Sequence, residues 1–311
     1  MKALIHIGTP KSGTTTIQTF LAMNRHALRA QGFRYEPFLP RNVAQMEFGL
    51  AGMIRAGEHV NQPIKQWALG VYDLAAQRAL VDRFEAALRE GVQTWPEHTF
   101  IASSEQIGSW LSKPRRILAL DEFLLDQFED VKYILYLRPQ HELIVSSYSE
   151  RVKRGETLSF DEHFAQRLTR MNWHRLASKW VDAVGADRLI VRLLDRSELL
   201  NGDLLDDFCN ITSLDRAPLE TPPRMNTALS LEEIDLHHKL TRYIPVRNRR
   251  GAPSQVFRAA LKLARYRLPK PGTRLRLSAE QLAAVHAEYE ASNEKLRAAY
   301  FPQRATLFTT P

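Results

Sequence analysis

The sequence predicts an α/β fold in which a parallel β-sheet is flanked by helices and followed by a helical C-terminal part. Strand and helix patterns alternate up to about residue 215, which is the arrangement that builds parallel sheets. The stretch VKYILYLR at 131–138 is almost continuously apolar, as expected for a strand buried on both sheet faces. Beyond residue 215 only helix patterns follow. We therefore predict a core at 1–215 and a helical extension at 216–311 packed on it.

The individual elements follow from apolar spacing and from the glycines that end them. Short apolar runs predict strands at 2–7, 98–105, 131–138 and 187–194. Amphipathic runs predict core helices at 14–32, 76–91, 115–128, 141–155, 172–185 and 197–211, the last with an interruption near Gly202. Helices are also expected at 230–243, 253–267 and 278–300, after a proline-rich connector. Residues 33–70 have no clear period, so we predict a long, partly helical excursion there.

Composition limits the class of protein. The 311 residues are 44% hydrophobic and contain one cysteine, Cys209, which excludes an intrachain disulfide and a cysteine-based zinc site. No apolar run approaches the roughly 20 residues that span a bilayer, and we interpret MKALIHIG as a first strand, which favours a cytoplasmic protein. The net charge of +8 favours acidic ligands: nucleic acids, phosphorylated nucleotides, anionic sugars or anionic lipids.

The stretch HIGTPKSGTTTIQ at 6–18 resembles a phosphate-binding loop whose lysine is displaced. A Walker A loop reads G-x-x-x-x-G-K-[ST], with the lysine after the second glycine. Here Gly8 and Gly13 keep the spacing, Thr14 and Thr15 follow, and the lysine is Lys11 inside the loop. A strand, a glycine loop and a helix in this order present backbone N–H groups to a phosphate, so we predict anion binding here.

The strand at 131–138 ends in a cation. Its last residue is Arg138, where a Walker B strand would carry an aspartate for magnesium. Open α/β sheets bind ligands at the carboxyl ends of their strands, so Arg138 and Lys11 are expected at one site. Two cations without a metal-holding carboxylate argue against magnesium-dependent phosphoryl transfer. Arg138 and Ser146, two turns into the next helix, predict a second phosphate contact and no metal site.

Together, TPKSGTT and LRPQHELIVSSY resemble the two nucleotide-binding signatures of the sulfotransferases, in the style of bacterial members. The resemblance covers roughly residues 1–215 and is strongest at 4–21 and 131–155. It implies a fold like that of the P-loop NTPases. It also implies the sulfuryl donor 3′-phosphoadenosine 5′-phosphosulfate (PAPS), the product adenosine 3′,5′-bisphosphate and no metal.

The resemblance also implies roles for individual residues. Lys11 lies where the family's lysine contacts the phosphosulfate near its bridging oxygen. The family's 5′-phosphate cradle matches Ser12, Gly13, Thr14 and Thr15, and its 3′-phosphate pair matches Arg138 and Ser146. A late Arg-Lys-Gly-like loop over the 3′-phosphate matches Arg249, Arg250 and Gly251. The surrounding basic segment 242–277 has two other interpretations, an anionic-acceptor groove and a peripheral membrane contact.

The sequence departs from the family pattern at the position of the general base. Glu105 falls where many relatives carry a catalytic histidine in a strand-end Lys-Thr-His, and here Ser103 and Ser104 precede it. Glu105 is our first candidate for the base. Glu36 and Glu47 are alternatives, because other branches of the family take the base from the segment after the first helix.

The resulting prediction is a sulfotransferase that moves a sulfuryl group from PAPS to a hydroxyl or amine. Its acceptor would be a carbohydrate, a lipid or a small metabolite. In one interpretation the carbohydrate or lipid is anionic. One alternative is a P-loop small-molecule kinase, and another is a non-catalytic relative that binds the nucleotide or an anionic glycan. Nucleic acid is not an expected partner, because aromatic residues are not interleaved with the charges of the basic segment.

Overall fold

In the part of the chain that the structure describes, five parallel strands form one sheet. The structure is a computed structural model and describes residues 1–39, 44–223, 228–248, 251–269 and 272–309. The strands are β1 (Lys2–Ile7), β2 (Phe33–Arg34), β3 (Thr99–Ser104), β4 (Asp130–Leu137) and β5 (Leu189–Leu193). Their order is β2-β3-β1-β4-β5, so β1 is central and the chain fills first one side of it and then the other. The predicted α/β class is confirmed.

Helices cover both faces of the sheet. Those of the first 215 residues are α1 (Thr14–Met23), α2 (Arg25–Ala30), α3 (Met46–Arg55), α4 (Pro63–Leu69), α5 (Leu74–Thr94), α6 (Glu105–Trp110), α7 (Pro114–Leu125), α8 (Gln140–Lys153), α9 (Phe160–Arg167), α10 (Trp173–Val184) and α11 (Leu204–Thr212). The described C-terminal helices are α12 (Leu231–Thr241), α13 (Gln255–Arg265) and α14 (Ala279–Tyr300).

Strand β4 is buried on both faces, as its apolar sequence predicts. Leu135 packs in one apolar cluster, which includes Phe84 of α5. The next residue, Tyr136, points to the opposite face and packs in a second cluster with Phe20 of α1. Alternate residues of the same strand therefore belong to two separate hydrophobic cores, one on each side of the sheet.

The C-terminal helix α14 packs on the sheet domain. Val285, Tyr289 and Leu296 belong to the same apolar cluster as the strand residues. The hydroxyl of Tyr289 also accepts a hydrogen bond of 2.9 Å from the backbone N–H of Met171. A helical C-terminal part is thus observed, whereas the boundary at residue 215 stays a prediction. No helix within the described ranges is both long enough and apolar enough to cross a membrane.

Among the strands and α-helices named above, β2, α6 and α9 were not predicted. The first two have two and six residues, too few to show a period. The helix expected at 14–32 is divided into α1 and α2 at Asn24. The amide nitrogen of this residue donates to the carbonyl oxygens of Phe20, at 2.8 Å, and Glu220, at 2.9 Å. A short polar side chain that binds backbone groups in this way competes with the continuing helix.

Candidate functional site

The segments that carry the predicted site leave the sheet side by side. Strand β1 pairs with β3 and β4 so that Ile7 lies opposite Ser104 and Leu135. The residues that follow these three strand ends therefore share one edge of the sheet. The backbone N–H of Gly8 donates to the carbonyl of Ser104 at 3.1 Å, which ties the glycine loop to the residue before Glu105.

Hydroxyl groups brace the loop from inside. Thr9 donates to the backbone carbonyl of Tyr136 at 2.9 Å, which fastens the loop to β4. The hydroxyls of Ser12 and Thr14 both donate to the carbonyl of Thr9, at 2.7 and 3.2 Å. Ser12 is completely buried. It therefore shapes the loop, while its neighbours on either side form the surface that a ligand would meet.

The N-terminus of α1 offers unpaired backbone donors. Gly13 precedes the helix with a φ of 82°, in the left-handed region that glycine adopts readily. Gly13 has no side chain that could cap this end, and the first turn of α1 contains no acidic residue. The first N–H groups of a helix have no partner within it, and the helix dipole adds partial positive charge there. Gly13, Thr14 and Thr15 line a cavity, so these donors are available to an anion.

Lys11 has an unusual backbone conformation. Its φ is 61°, which is sterically unfavourable for a residue with a Cβ atom. Its carbonyl oxygen accepts a hydrogen bond of 3.0 Å from Nη1 of Arg138. Its Nζ lies 3.6 Å from Oε2 of Glu150. The lysine is thus held between the end of β4 and the middle of α8.

Arg138 and Ser146 lie together. Nη1 of Arg138 is 3.5 Å from Oγ of Ser146, and the guanidinium also forms a 2.9 Å ion pair with Glu142. The indole N–H of Trp173 donates to the backbone carbonyl of Arg138 at 2.9 Å. These contacts fix the arginine at the point where β4 leads into α8.

A cavity of about 620 Å³ joins Lys11, the start of α1 and Arg138. Ser146 does not line this cavity, whereas its neighbour Ser147 does. Seven cationic side chains line it: Lys11, Lys65, Arg138, Arg151, Arg154, Arg167 and Arg247. Two carboxylates, those of Glu105 and Glu150, also line it. This excess of positive charge suits a ligand that carries several negative charges.

Five of the charged residues in this cavity were not identified from the sequence: Lys65, Glu150, Arg151, Arg154 and Arg167. On α8 the signal was present, because Ser147, Arg151 and Arg154 recur at the four- and three-residue steps of one helix face. Lys65 and Arg167 lie on α4 and α9. The first falls in a segment without a clear period and the second on a helix that was not predicted, so neither could be placed.

Glu105 lines the cavity at the start of α6. Burial raises the pKa of its carboxyl group above the ordinary value, with an opposing effect from Arg154. The charge of Glu150 raises this pKa further, and that of Lys11 lowers it. Glu105 is therefore within electrostatic reach of both cations, and its proton affinity is higher than that of an exposed glutamate.

Contact between two glycine-containing segments holds Glu105 against the loop. A Cβ atom at Gly8 would lie 2.8 Å from the backbone nitrogen of Glu105. A Cβ atom at Gly108 would lie 2.4 Å from the carbonyl oxygen of Gly8. Both distances are shorter than any ordinary Cβ contact, so the approach of α6 to the loop requires residues without side chains.

The two alternative bases do not line this cavity. The carboxylate of Glu36 forms ion pairs with Arg34, at 2.7 Å, and Arg29, at 3.2 Å. Glu47 is buried, and this burial raises the pKa of its carboxyl group to about 7, although nearby backbone N–H groups favour the charged form. Of the three glutamates, Glu105 is the one placed beside Lys11.

The late basic loop is described only in part. Arg249 and Arg250 lie outside the described residues. Gly251 is buried, and a Cβ atom added to it would lie 3.0 Å from Cα of Ile64 on α4. Arg247 donates to the carbonyl of Gly251 at 2.6 Å and lines the cavity. The segment therefore adjoins the site through Arg247.

Comparison with known proteins gives one structural likeness. The fold is similar to that of a sulfotransferase from Alicyclobacillus acidocaldarius, with 16% sequence identity and a TM-score of 0.45. The aligned region covers 96% of this chain and 94% of that one. No protein-family model and no curated protein sequence matches the chain.

Proposed function

We propose that this protein is a sulfotransferase that uses PAPS. The observation that carries the proposal is the position of Lys11. This lysine extends from a phosphate-type loop into a cationic cavity that it shares with Arg138 and the free N-terminus of α1. A kinase of the Walker type would carry its lysine directly after Gly13, and in this chain that position is occupied by Thr14, followed by Thr15.

The described residues fit a doubly phosphorylated adenosine carrier. The uncapped helix end, with Gly13, Thr14 and Thr15, would bind the 5′-phosphosulfate. Arg138 would bind the 3′-phosphate together with Ser146, whose hydroxyl lies beside its guanidinium. Anion binding would replace the existing ion pair of Arg138 with Glu142, which is partly exposed and therefore weak.

Lys11 and Glu105 have different roles in the proposed reaction. The donor supplies an activated sulfuryl group attached to a phosphate leaving group. Lys11 stabilises the negative charge that develops on the leaving oxygen, an interaction that is strongest in the transition state. Glu105 accepts the proton from the attacking hydroxyl or amine, for which its raised pKa is suited.

The acceptor we propose carries a negative charge of its own. Arg167 lines the cavity and makes no ion pair with any described carboxylate, and burial and the charge of Arg151 lower its pKa. Lys65 also lines the cavity, and its pKa is lowered by burial and by Arg116. An additional anion would stabilise such cations, so a carboxylated, sulfated or phosphorylated sugar or lipid is the acceptor that suits this cavity.

Calorimetry with adenosine 3′,5′-bisphosphate and with ATP, each with and without magnesium, tests the donor site. We expect the bisphosphate to bind more tightly than ATP and independently of the metal. Arg138→Ala should weaken this binding about 100-fold, since it removes charge-assisted hydrogen bonds. Arg78→Ala, which removes an exposed cation of α5, is the matched control. Preference for magnesium-ATP would instead support a kinase.

Single-turnover measurement with labelled PAPS then separates an enzyme from a binding protein. Release or transfer of the labelled sulfuryl group supports the proposal. Tight binding of the bisphosphate without any turnover, over a broad set of acceptors, would support the non-catalytic alternative. A cytoplasmic location stays an expectation from the sequence.

A further inference from the structure

Helix α13 has two apolar stripes, and the described residues of the protein cover one of them and leave the other exposed. Phe257 is 3% exposed and packs on α12, where its ring lies 5.7 Å from that of His237. On the other side, Val256, Leu263 and Tyr266 are 67%, 75% and 75% exposed. These three recur at seven and three residues, which places them on one face of the helix.

A cationic stripe lies between the two apolar ones. Arg258, Lys262 and Arg265 recur at four and three residues and are exposed. They line a groove of about 850 Å³ between α12 and α13. The single carboxylate among the described residues of this groove is that of Glu233, which pairs with Arg265. No acidic residue occurs anywhere in the segment 242–277.

We propose that α13 binds the surface of an anionic phospholipid bilayer. Helices that lie in a membrane interface combine an unpartnered apolar face with lysine and arginine on the polar face. Val256, Leu263 and Tyr266 would enter the boundary between headgroups and acyl chains, where tyrosine is favoured. Arg258 and Lys262 would face the lipid phosphates. A purely acidic partner would use the cations and leave the apolar stripe without a role.

Flotation with vesicles tests this inference independently of the proposed activity. The full chain should bind vesicles that contain phosphatidylglycerol and should not bind phosphatidylcholine alone. The double variant Arg258→Gln/Lys262→Gln should reduce partitioning about 30-fold, because each basic residue near the surface contributes roughly fivefold. The triple variant Val256→Ser/Leu263→Ser/Tyr266→Ser should reduce it at least tenfold through lost insertion.

Matched controls remove the same chemistry from other helices. Leu118→Ser/Leu125→Ser changes two exposed leucines of α7, 46% and 47% exposed. Arg78→Gln/Arg83→Gln removes two exposed cations of α5. Both should partition as the wild type does, and thermal unfolding should show that all variants remain folded. Equal binding by all variants, or no binding to anionic vesicles, overturns the proposal. Loss in the charge variant alone also overturns it, because the contact would then be electrostatic without insertion.

Discussion

Nη1 of Arg138 donates a hydrogen bond of 3.0 Å to the carbonyl oxygen of Lys11, so the end of β4 directly supports the loop that follows β1. Lys11 has a left-handed backbone, which costs on the order of 1–2 kcal/mol for a residue with a side chain. The contact helps to maintain this conformation, which keeps the lysine between Arg138 and Glu150. Arg138 thus has a structural role beside its proposed ligand contact.

Lys11→Met should lower the rate of sulfuryl transfer by roughly 10²–10³-fold, because it removes the cation at the leaving oxygen. Binding of adenosine 3′,5′-bisphosphate should weaken much less, since the loop donors and Arg138 remain. Single-turnover hydrolysis of PAPS measures the first quantity without a known acceptor, and calorimetry measures the second.

Lys153→Met is the control for this substitution. Burial lowers the pKa of Lys153 and the nearby charge of Lys11 lowers it further, but Lys153 does not line the cavity. Lys153→Met should leave the rate of PAPS hydrolysis within about threefold of the wild-type rate. A similar loss in both variants would mean that general positive charge, and not the ammonium of Lys11, supports the reaction.

Glu105→Gln should lower the rate by about 10²–10⁴-fold, as expected for removal of a general base. The wild-type rate should rise with pH as Glu105 loses its proton. Because the pKa of Glu105 is raised, this rise should occur at a higher pH than the titration of an exposed glutamate. The variant should lose this dependence. The pH profile of PAPS hydrolysis, with water as the acceptor, provides the measurement.

Glu36→Gln and Glu47→Gln serve as comparisons for the base. Neither side chain lines the cavity, so each should keep the acidic limb of the pH profile. If the limb disappears in one of these variants and persists in Glu105→Gln, the base has been assigned to the wrong glutamate.

Gly108→Ala should destabilise the protein, although alanine is intrinsically favoured over glycine in helices by about 1 kcal/mol. Its Cβ atom would lie 2.4 Å from the backbone oxygen of Gly8, which cannot move without displacing the loop. We expect a loss of about 1–3 kcal/mol in the free energy of unfolding and weaker bisphosphate binding. Denaturant unfolding measures the free energy of unfolding. Ser109→Ala, a substitution of the exposed neighbour on α6, should leave this free energy nearly unchanged.

Glu47→Gln should stabilise the protein at alkaline pH. The pKa of Glu47 in the folded protein is about 7, against 4.5 in the unfolded chain. A raised folded pKa means that its contribution to stability is fully present below the unfolded value and is lost as the pH rises through 7. The stability of the variant relative to wild type should therefore rise by about 2–3 kcal/mol between pH 5 and 8. If the difference in free energy of unfolding between variant and wild type stayed the same across this range, the prediction would be wrong. Glu36→Gln, at a glutamate that is ion-paired and not buried in this way, is the comparison.

Sequence patterns predicted the sheet and most helices because apolar periodicity reflects burial directly. Tyr136 and Leu135 show this, since a strand flanked by two cores has no polar face to interrupt its pattern. The same patterns could not reveal β2, whose position depends on pairing with a strand 66 residues away, from Phe33 to Thr99. Pairing of distant segments leaves no local signal in so short a strand.

The sequence predicted the charged site residues that directly follow a strand. It missed the charged site residues that lie within helices. Lys11, Glu105 and Arg138 follow β1, β3 and β4, and the order of a parallel sheet brings such ends together. Arg167 reaches the cavity from α9 through tertiary packing alone. Its position depends on how α9 packs on α8, which no spacing in the sequence specifies.

Arg167→Gln should weaken the use of anionic acceptors and leave the donor site intact. A charge-assisted contact is worth about 1.5–3 kcal/mol, so we expect kcat/KM for such an acceptor to fall roughly 10–100-fold. A matched pair of sugars, a glucoside and the corresponding glucuronide, isolates the charge: the wild type should prefer the glucuronide and the variant should lose this preference. Arg170→Gln, an exposed neighbour, should retain it. Equal use of both sugars by the wild type would refute an anionic acceptor. Bisphosphate binding that is unchanged in Arg167→Gln would leave the proposed donor site, and with it the proposed sulfotransferase, unaffected by that result.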